Sequence, residues 1–294
     1  MQHIPLMKDR PRVVQLVANP TAGGHCADRL AGLAGAFERA GARVAVTECG
    51  PHCAFEVNRD ADHLCVVGGD GTLRHVAMAA AACGRPVTLT HYPAGTINLV
   101  HREAPCTIEP EPFAAALLSG ERARGHYAAR LNEGLFLACA GVGPDSAAVA
   151  AVSTRLKRRI GRLAYGVAFL KVLLHWTRRE IILCHDGKAL RCEAFYVAKG
   201  RFFAGPWSFA PGARLTDPLL HVVALKRCRR RDFARFIWAL LRSRPMAEVP
   251  GAVAFTCTAL SAEAGHPLPV QADGDIAATL PVEIAIRPYP IPFC

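Results

Sequence analysis

The sequence predicts an α/β protein of two domains. An N-terminal parallel sheet with helices on both faces precedes a C-terminal, mainly antiparallel, β-sandwich-like domain with two basic helices. Two observations predict this fold: strands alternate with helices up to about residue 125, whereas short strands joined by turn residues prevail after residue 128. With 294 residues, the chain can bury a core in each of two domains, which we place at 1–127 and 128–294.

The first half alternates β-branched runs with stretches of helical periodicity. An alternation of this kind predicts a parallel sheet with ligand-binding loops at the carboxyl ends of its strands. The predicted strands are 13–18, 44–47, 63–67 and 86–92, and the predicted helices are 27–40 and 73–82.

The second half consists of short apolar segments separated by turn residues, which is typical of antiparallel strands. The predicted strands are 135–142, 180–184, 194–198, 219–225, 253–260 and 282–286. Two stretches with helical spacing and many arginines, about 145–178 and 230–241, interrupt them.

Basic residues are concentrated in one segment. The net charge is +11, and residues 151–250 carry 21 Lys and Arg against 6 Asp and Glu. Such a segment indicates an anionic partner: a membrane, a nucleic acid or a polyphosphate. Because no known nucleic-acid motif accompanies the charge, we expect no nucleic acid partner. The apolar faces of the basic helices either pack in the core, with the charges in solvent, or contribute to an anionic membrane surface contact.

The sequence also suggests a cytoplasmic location. The first residues lack the apolar core of a secretory signal, and the most apolar run, 163–176, is shorter than the roughly 20 residues of a membrane span. The twelve cysteines are scattered singly, which favours reduced thiols over disulfides.

Three polar loops follow predicted strands. Gly68-Gly69-Asp70-Gly71-Thr72 stands between a strand and a helix, where glycines let backbone N–H groups approach phosphate oxygens. Asp70 would repel a phosphate unless it binds a metal or takes a proton. By itself this segment could be a plain tight turn. Loops 19–24 and 93–98 carry similar residues at two other strand ends, so the three together predict a phosphate site.

In order and spacing, these loops resemble the diacylglycerol kinase catalytic-domain family, which includes sphingosine kinases and bacterial lipid kinases. The family pattern is Asn-Pro-x-x-Gly, then Gly-Gly-Asp-Gly-Thr, then Gly-Thr-x-Asn-Asp. Segments 141–146, 162–165 and 197–205 are also similar to the family, and Asp273-Gly274-Asp275 occupies the place of its Asp-Gly-Glu.

The resemblance implies an ATP-dependent kinase that uses Mg²⁺ and phosphorylates a hydroxyl of a lipid, such as diacylglycerol or a sphingoid base, at an anionic membrane surface. A homodimer is one option for its oligomeric state. The implied nucleotide contacts are Asn19, Thr21, Gly24, Thr47, Gly68, Gly69, Asp70, Gly71, Thr72, Gly95, Thr96 and Asn98. The implied catalytic residues are Asp70, Asp273 and Asp275, of which the last two would supply the general base.

The chain departs from the family pattern at three places. Leu99 replaces the last acid of Gly-Thr-x-Asn-Asp, and Asp-Gly-Glu has become Asp-Gly-Asp. The family's structural Mg²⁺ loop, Leu-Asp-Asp-Gly-x-Leu-Asp, here spans 215–221 and keeps one acid, Asp217. We therefore expect that metal site to be absent or weakly occupied.

Two other functions remain open. A soluble-substrate kinase of the NAD kinase type also uses Gly-Gly-Asp-Gly, although the Gly-Thr-Ile-Asn loop favours the lipid kinases. The lost acids suggest a catalytically weakened lipid- or nucleotide-binding protein, whereas the retained Asp70, Asp273 and Asp275 favour activity.

Overall fold

The computed structural model describes residues 11–50, 53–121, 123–151, 177–242 and 244–294. Its N-terminal part alternates strands and helices as expected. The elements are β1 (Val13–Ala18), α1 (Ala27–Arg39), β2 (Arg43–Glu48), β3 (His63–Gly68), α2 (Asp70–Ala82), β4 (Thr88–Pro93), α3 (Leu99–Glu103) and α4 (Pro110–Ser119).

Strands β2, β1, β3 and β4 lie side by side in that order, and all pair in parallel. Helices α1 and α4 pack on one face through residues such as Phe37 and Phe113. Helix α2 packs on the other face through Leu73 and Val76. Because both faces are covered, β1 and β3 are buried along their whole length. The predicted parallel sheet with helices on both faces is confirmed.

The C-terminal part contains two six-stranded sheets, ordered β10-β9-β14-β17-β6-β7 and β13-β12-β11-β8-β15-β16, in which all pairings are antiparallel. Residues from both sheets, Phe136 and Val197 among them, share one core. The predicted antiparallel, β-rich part is confirmed. Its strands are β6 (Ala129–Leu131), β7 (Gly134–Phe136), β8 (Cys139–Val142), β9 (Ile181–His185), β10 (Lys188–Cys192), β11 (Ala194–Ala198), β12 (Leu220–Leu225), β13 (Ala252–Cys257), β14 (Ala259–Ala264), β15 (Pro269–Ala272), β16 (Asp275–Thr279) and β17 (Val282–Ile286).

Two segments predicted as single strands each divide between the sheets. Segment 135–142 forms the end of β7 and then β8, and segment 253–260 forms β13 and the start of β14. In both cases the chain passes from one sheet to the other, so each segment contributes to both layers of the shared core.

The end of the chain returns to the first sheet. Strand β18 (Ile291–Phe293) pairs in parallel with β4 and antiparallel with β5 (Arg124–His126). The division after residue 127 stays a prediction, and it does not include this strand in the N-terminal part. Pairing of β18 attaches the C-terminal residues to the sheet that carries the glycine loops.

One of the two basic segments can be described as a helix. Helix α6 (Arg230–Leu241) packs Phe233, Phe236 and Leu240 against the outer face of the sheet that contains β11 and β12. The other segment begins with α5 (Pro144–Ala151) and continues into 152–176, which lies outside the described residues.

Helix α2 begins earlier than predicted. The sequence placed its start near residue 72 or 73, whereas the helix begins at Asp70. Gly68 and Gly69 therefore form the turn after β3, and Asp70, Gly71 and Thr72 are the first turn of the helix.

Candidate active site

The three predicted loops meet at one edge of the parallel sheet, and backbone hydrogen bonds connect them. The Gly24 N–H donates to the Ala94 carbonyl oxygen at 2.9 Å, and the Ala94 N–H donates to the Gly68 carbonyl oxygen at 2.8 Å. A Cβ at position 24 would lie 2.9 Å from that same Ala94 oxygen, so the approach requires glycine. Gly24 thus joins two loops to each other.

The Asn19 side chain connects the first loop to α2. Its Nδ2 donates to Thr72 Oγ1 at 2.9 Å, and its Oδ1 accepts bonds from the Thr21 backbone N–H and Oγ1 at 2.9 and 2.8 Å. Thr72 is buried, whereas Thr21 is exposed. Asn19 therefore holds the first turn of α2 and the first loop in a fixed relation.

Gly69 and Gly95 touch through their backbones. A Cβ on Gly69 would lie 3.1 Å from the Gly95 Cα, a contact too tight for most side chains. Asn98 has a left-handed backbone with φ of 54°. Its side-chain Oδ1 accepts the Gly95 N–H at 3.1 Å, and its Nδ2 donates to the Gly95 carbonyl oxygen at 2.9 Å. Thr96, between them, is exposed.

Asp70 turns toward helix α3. Its carboxylate accepts the backbone N–H of Val100 at 3.3 Å and also those of Asn98 and Leu99. Burial raises the pKa of Asp70, and these N–H groups act in the opposite direction. Asp70 is thus the first residue of α2 and also a cap for α3, and its predicted contact with a nucleotide stays a prediction.

Asp273 is held by the backbone. Its Oδ2 accepts the Leu137 N–H at 2.7 Å, and its Oδ1 accepts the Ala138 and Cys139 N–H groups at 2.9 and 3.0 Å. Burial, together with a smaller effect of the neighbouring Asp70 charge, raises its pKa to about 6 against the effect of these bonds. Three N–H donors therefore orient this carboxylate inward, in the turn before β16.

Asp275 differs from Asp273. It begins β16 and is only partly buried. Its carboxylate occupies the space where a side chain at Gly71 would begin. Because Gly71 lies in the first turn of α2, the acid from the antiparallel sheet stands beside the helix N-terminus that carries the predicted phosphate donors.

Two predicted residues lie away from this contact. Thr47, in β2, accepts a hydrogen bond from Gln15 Nε2 at 3.0 Å. Asp217 is half-buried in the loop before β12, where its N–H donates to the Arg214 carbonyl oxygen at 3.1 Å.

Known families match both halves of the chain. Residues 13–128 match the diacylglycerol kinase catalytic domain. Residues 138–293, more than half of the chain, match the YegS C-terminal NAD kinase beta sandwich-like domain. The chain belongs to the diacylglycerol kinase catalytic-domain family. Its retained glycine loops and its Asp-Gly-Asp turn are therefore read as parts of one kinase fold.

Individual relatives agree with this membership. The chain is 28% identical over 237 residues to a diacylglycerol kinase of Bacillus subtilis, and the match covers 78% of each protein. It is 34% identical over 166 residues to a probable lipid kinase, YegS-like, of Pseudomonas aeruginosa, covering 54% of this chain and 52% of that protein. A crystal structure of a diacylglycerol kinase from Bacillus anthracis matches with a TM-score of 0.71 at 20% identity over 93% of both chains, which shows the fold.

Two charged residues with several buried contacts were missed by the sequence analysis. Glu103 ends α3 and accepts backbone N–H groups from Arg201 and Leu215. Lys199 is fully buried at the end of β11. A lysine directly after the apolar run 194–198 was a usable signal, whereas Glu103 gave none because its partners lie about a hundred positions away.

Two features are absent from the part of the chain that the structure describes. No helix there combines the length and the apolar composition that a membrane span requires. In that same part of the chain, no group of three or more His, Cys, Asp or Glu side chains is arranged to hold a metal ion.

Proposed function

We propose that this protein is an ATP-dependent lipid kinase that transfers the γ-phosphate of ATP to a lipid hydroxyl, as a step in phospholipid metabolism. The observation that carries the proposal is the position of Asp275 beside the first turn of α2, next to the glycine loops. A carboxylate near a phosphate-binding helix terminus is the arrangement that phosphoryl transfer to an alcohol needs.

The residues at the sheet edge fit a nucleotide polyphosphate. Backbone N–H groups in the first turn of α2 have no partner within the helix and can donate to phosphate oxygens. Gly69 and Gly95 pack backbone against backbone, which brings the loop after β3 and the loop after β4 together at this edge. When bound, ATP supplies the phosphoryl group, and its accompanying Mg²⁺ neutralises phosphate charge. Gly68, Gly71, Thr72, Thr96 and Asn98 are the further residues that we propose to surround it.

The three aspartates have different roles in this proposal. Asp275 takes the proton of the acceptor hydroxyl as that oxygen forms its bond to phosphorus, and the leaving oxygen remains on the nucleoside diphosphate. Asp70 orients α3 and thereby the Asn98 turn. Asp273 fixes the backbone of 137–139 and the turn that presents Asp275.

A lipid is the acceptor that we favour. The relatives described above are named diacylglycerol kinase or lipid kinase. The NAD kinase alternative has weaker support, since only the sandwich part matches a domain that is described as NAD kinase-like.

We also propose that the protein acts as a peripheral protein at the cytoplasmic membrane surface, with α6 as one contact. The outer face of α6 carries Arg231, Arg235, Trp238 and Leu241. Trp238 is 54% exposed and Leu241 is 42% exposed. The Arg242 guanidinium stands 4.3 Å from the Trp238 ring centroid. Exposed aromatic and aliphatic residues among arginines suit the interface of an anionic bilayer.

The acceptor is tested by incubating the protein with γ-labelled ATP, Mg²⁺ and a total lipid extract, with NAD⁺ in a parallel reaction. The proposal predicts label in the organic phase, in a lipid that mass spectrometry then identifies. Label only in the NAD⁺ reaction would select the soluble-substrate alternative.

The membrane contact is tested by sedimentation with vesicles of graded anionic lipid content. We expect the triple variant Arg231→Gln/Arg235→Gln/Trp238→Ala to bind anionic vesicles at least about tenfold more weakly than the parent at low salt. Each cation near such a surface contributes on the order of 1 kcal/mol to binding. The matched control, Arg43→Gln/Arg130→Gln, removes two exposed arginines from other elements. Equal losses in both variants would show that net charge, not α6, determines binding.

A further inference from the structure

Lys199 places a buried ammonium group in a loop of the antiparallel part. The residue is fully buried, and its Nζ donates to the carbonyl oxygens of Arg214 and Leu215 at 2.8 and 3.1 Å. Its own backbone N–H donates to the Ala138 carbonyl oxygen at 2.8 Å. The lysine therefore connects the end of β11 with the chain segment that leads to β12.

The same segment is also bound by Glu103. Glu103 Oε1 accepts the Leu215 N–H at 2.7 Å, and Oε2 accepts the Arg201 N–H at 2.5 Å. Glu103 is the last residue of α3, the helix that Asp70 caps. The 214–217 segment thus contacts a carboxylate of the N-terminal part and a cation of the C-terminal part.

The charges around Lys199 support an ionised lysine at neutral pH. Burial lowers the pKa of Lys199 to about 8, while the Glu103 and Asp217 carboxylates oppose that change. His221, which also lies near Lys199, has a lowered pKa because it is partly buried. His126 has its pKa lowered to about 4, first by burial and then by the Lys199 charge. The histidines are therefore neutral neighbours, and the carboxylates balance the lysine.

The residues present do not fit the structural Mg²⁺ that the family pattern implies. The Arg214 and Leu215 carbonyl oxygens already accept bonds from Lys199. Of the three acidic positions in the family loop, Thr216 and His221 occupy two, and Asp217 alone remains. Mg²⁺ demands near-octahedral oxygen coordination, which this set cannot supply beside a fixed positive charge.

We infer that the Lys199 ammonium is a built-in cation that replaces a structural metal ion and holds the 214–217 segment through the Arg214 and Leu215 carbonyl oxygens, with the Glu103 carboxylate as a neighbouring negative charge. A lysine suits this place because three N–H donors can satisfy backbone carbonyl groups without a hydrated ion. The kinase proposal is not needed for this inference, since its tests require neither ATP nor lipid.

The first test is thermal unfolding of the full chain without nucleotide, in Mg²⁺ or in chelator. A ligand stabilises a protein only when it binds the native state more tightly than the unfolded state. We expect the two melting temperatures to coincide. A clearly higher melting temperature in Mg²⁺ than in chelator would overturn the inference, because the native protein would then still bind a metal ion.

The second test compares Lys199→Met with Lys188→Met. Methionine keeps much of the stem but removes the charge and its donors, which leaves the Arg214 and Leu215 carbonyl groups without their donor and removes the positive charge near Glu103. We expect Lys199→Met to lower the melting temperature by about 5 °C or more. Lys188 is exposed on β10, so its variant should melt like the parent. Identical melting of both variants would contradict the role of Lys199.

The third test exchanges the cation. Thr216→Asp/His221→Asp restores two acids with Lys199 in place, and a triple variant adds Lys199→Asn. We expect Mg²⁺ to raise the melting temperature of the triple variant only. A metal effect in the double variant, or none in a folded triple variant, would show that lysine and metal do not share one position. If the triple variant does not fold, the melting temperatures of the parent and of Lys199→Met still test the inference.

Discussion

The carboxylate of Asp275 lies directly against the backbone of Gly71, so that the first strand residue of β16 meets the first turn of α2. This contact brings an acid of the antiparallel part to the helix terminus that follows the glycine turn. The arrangement depends on the absence of a side chain at position 71.

Gly71→Ala should displace Asp275, because the added methyl group would overlap its carboxylate. We expect kcat to fall by at least about tenfold, the scale of a misplaced catalytic group, with little change in far-ultraviolet circular dichroism. Gly32→Ala is the matched control: it also lies in a helix, meets no atom within 4 Å, and should stabilise the protein slightly. Equal activity of the two variants would contradict the contact.

Asp70→Asn should weaken the cap of α3. An amide keeps one acceptor oxygen but turns a donor toward backbone N–H groups, at a cost of about 1–3 kcal/mol in the free energy of unfolding. Because α3 continues the Asn98 turn, the KM for ATP should rise as well. Urea unfolding and steady-state kinetics check both effects, with the exposed Asp60→Asn as control. A stable variant that lost only kcat would instead indicate a direct catalytic role.

His91 should make stability depend on pH. Its Nε2 lies 3.0 Å from the Gly68 carbonyl oxygen, and burial lowers its pKa to about 4. The unfolded state takes up a proton near pH 6.5, whereas the folded state does not, so stability falls as pH drops below 6.5 and is complete above it.

Between pH 7.5 and pH 5, the free energy of unfolding of the parent should fall by about 2 kcal/mol more than that of His91→Gln. The glutamine side chain can still donate a hydrogen bond to the Gly68 carbonyl oxygen. Urea unfolding of both proteins at the two pH values measures this difference, and other titrating groups largely cancel in the comparison. Parallel stability curves would show that His91 is protonated equally in both states.

The parts of the fold that the sequence predicted depend on local patterns. Gly68, Gly69 and the Asn98 turn follow buried strands, and a parallel sheet brings its strand ends to one edge. The contacts of Asp70 with α3 were not predicted because the N–H groups that it accepts lie about thirty positions later. The return of β18 to the first sheet gave no local signal, since three residues of extended chain carry no periodicity.

The two acids of Asp273-Gly274-Asp275 show the same limit. They are two positions apart and chemically identical, so the sequence could not assign their roles. Asp273 has a left-handed backbone with φ of 48° and points into three N–H groups, whereas Asp275 faces α2. Only the tertiary contacts distinguish a carboxylate that holds the turn from one that meets the site.

Single-turnover transfer from labelled ATP to a lipid acceptor, with Asp275→Asn beside the parent, tests the central claim most directly. If Asp275 is the general base, the variant should bind ATP within about twofold of the parent and transfer the label at least about 10²-fold more slowly. Asp273→Asn should instead lower the melting temperature. A normal transfer rate in a folded Asp275→Asn variant would contradict the assignment.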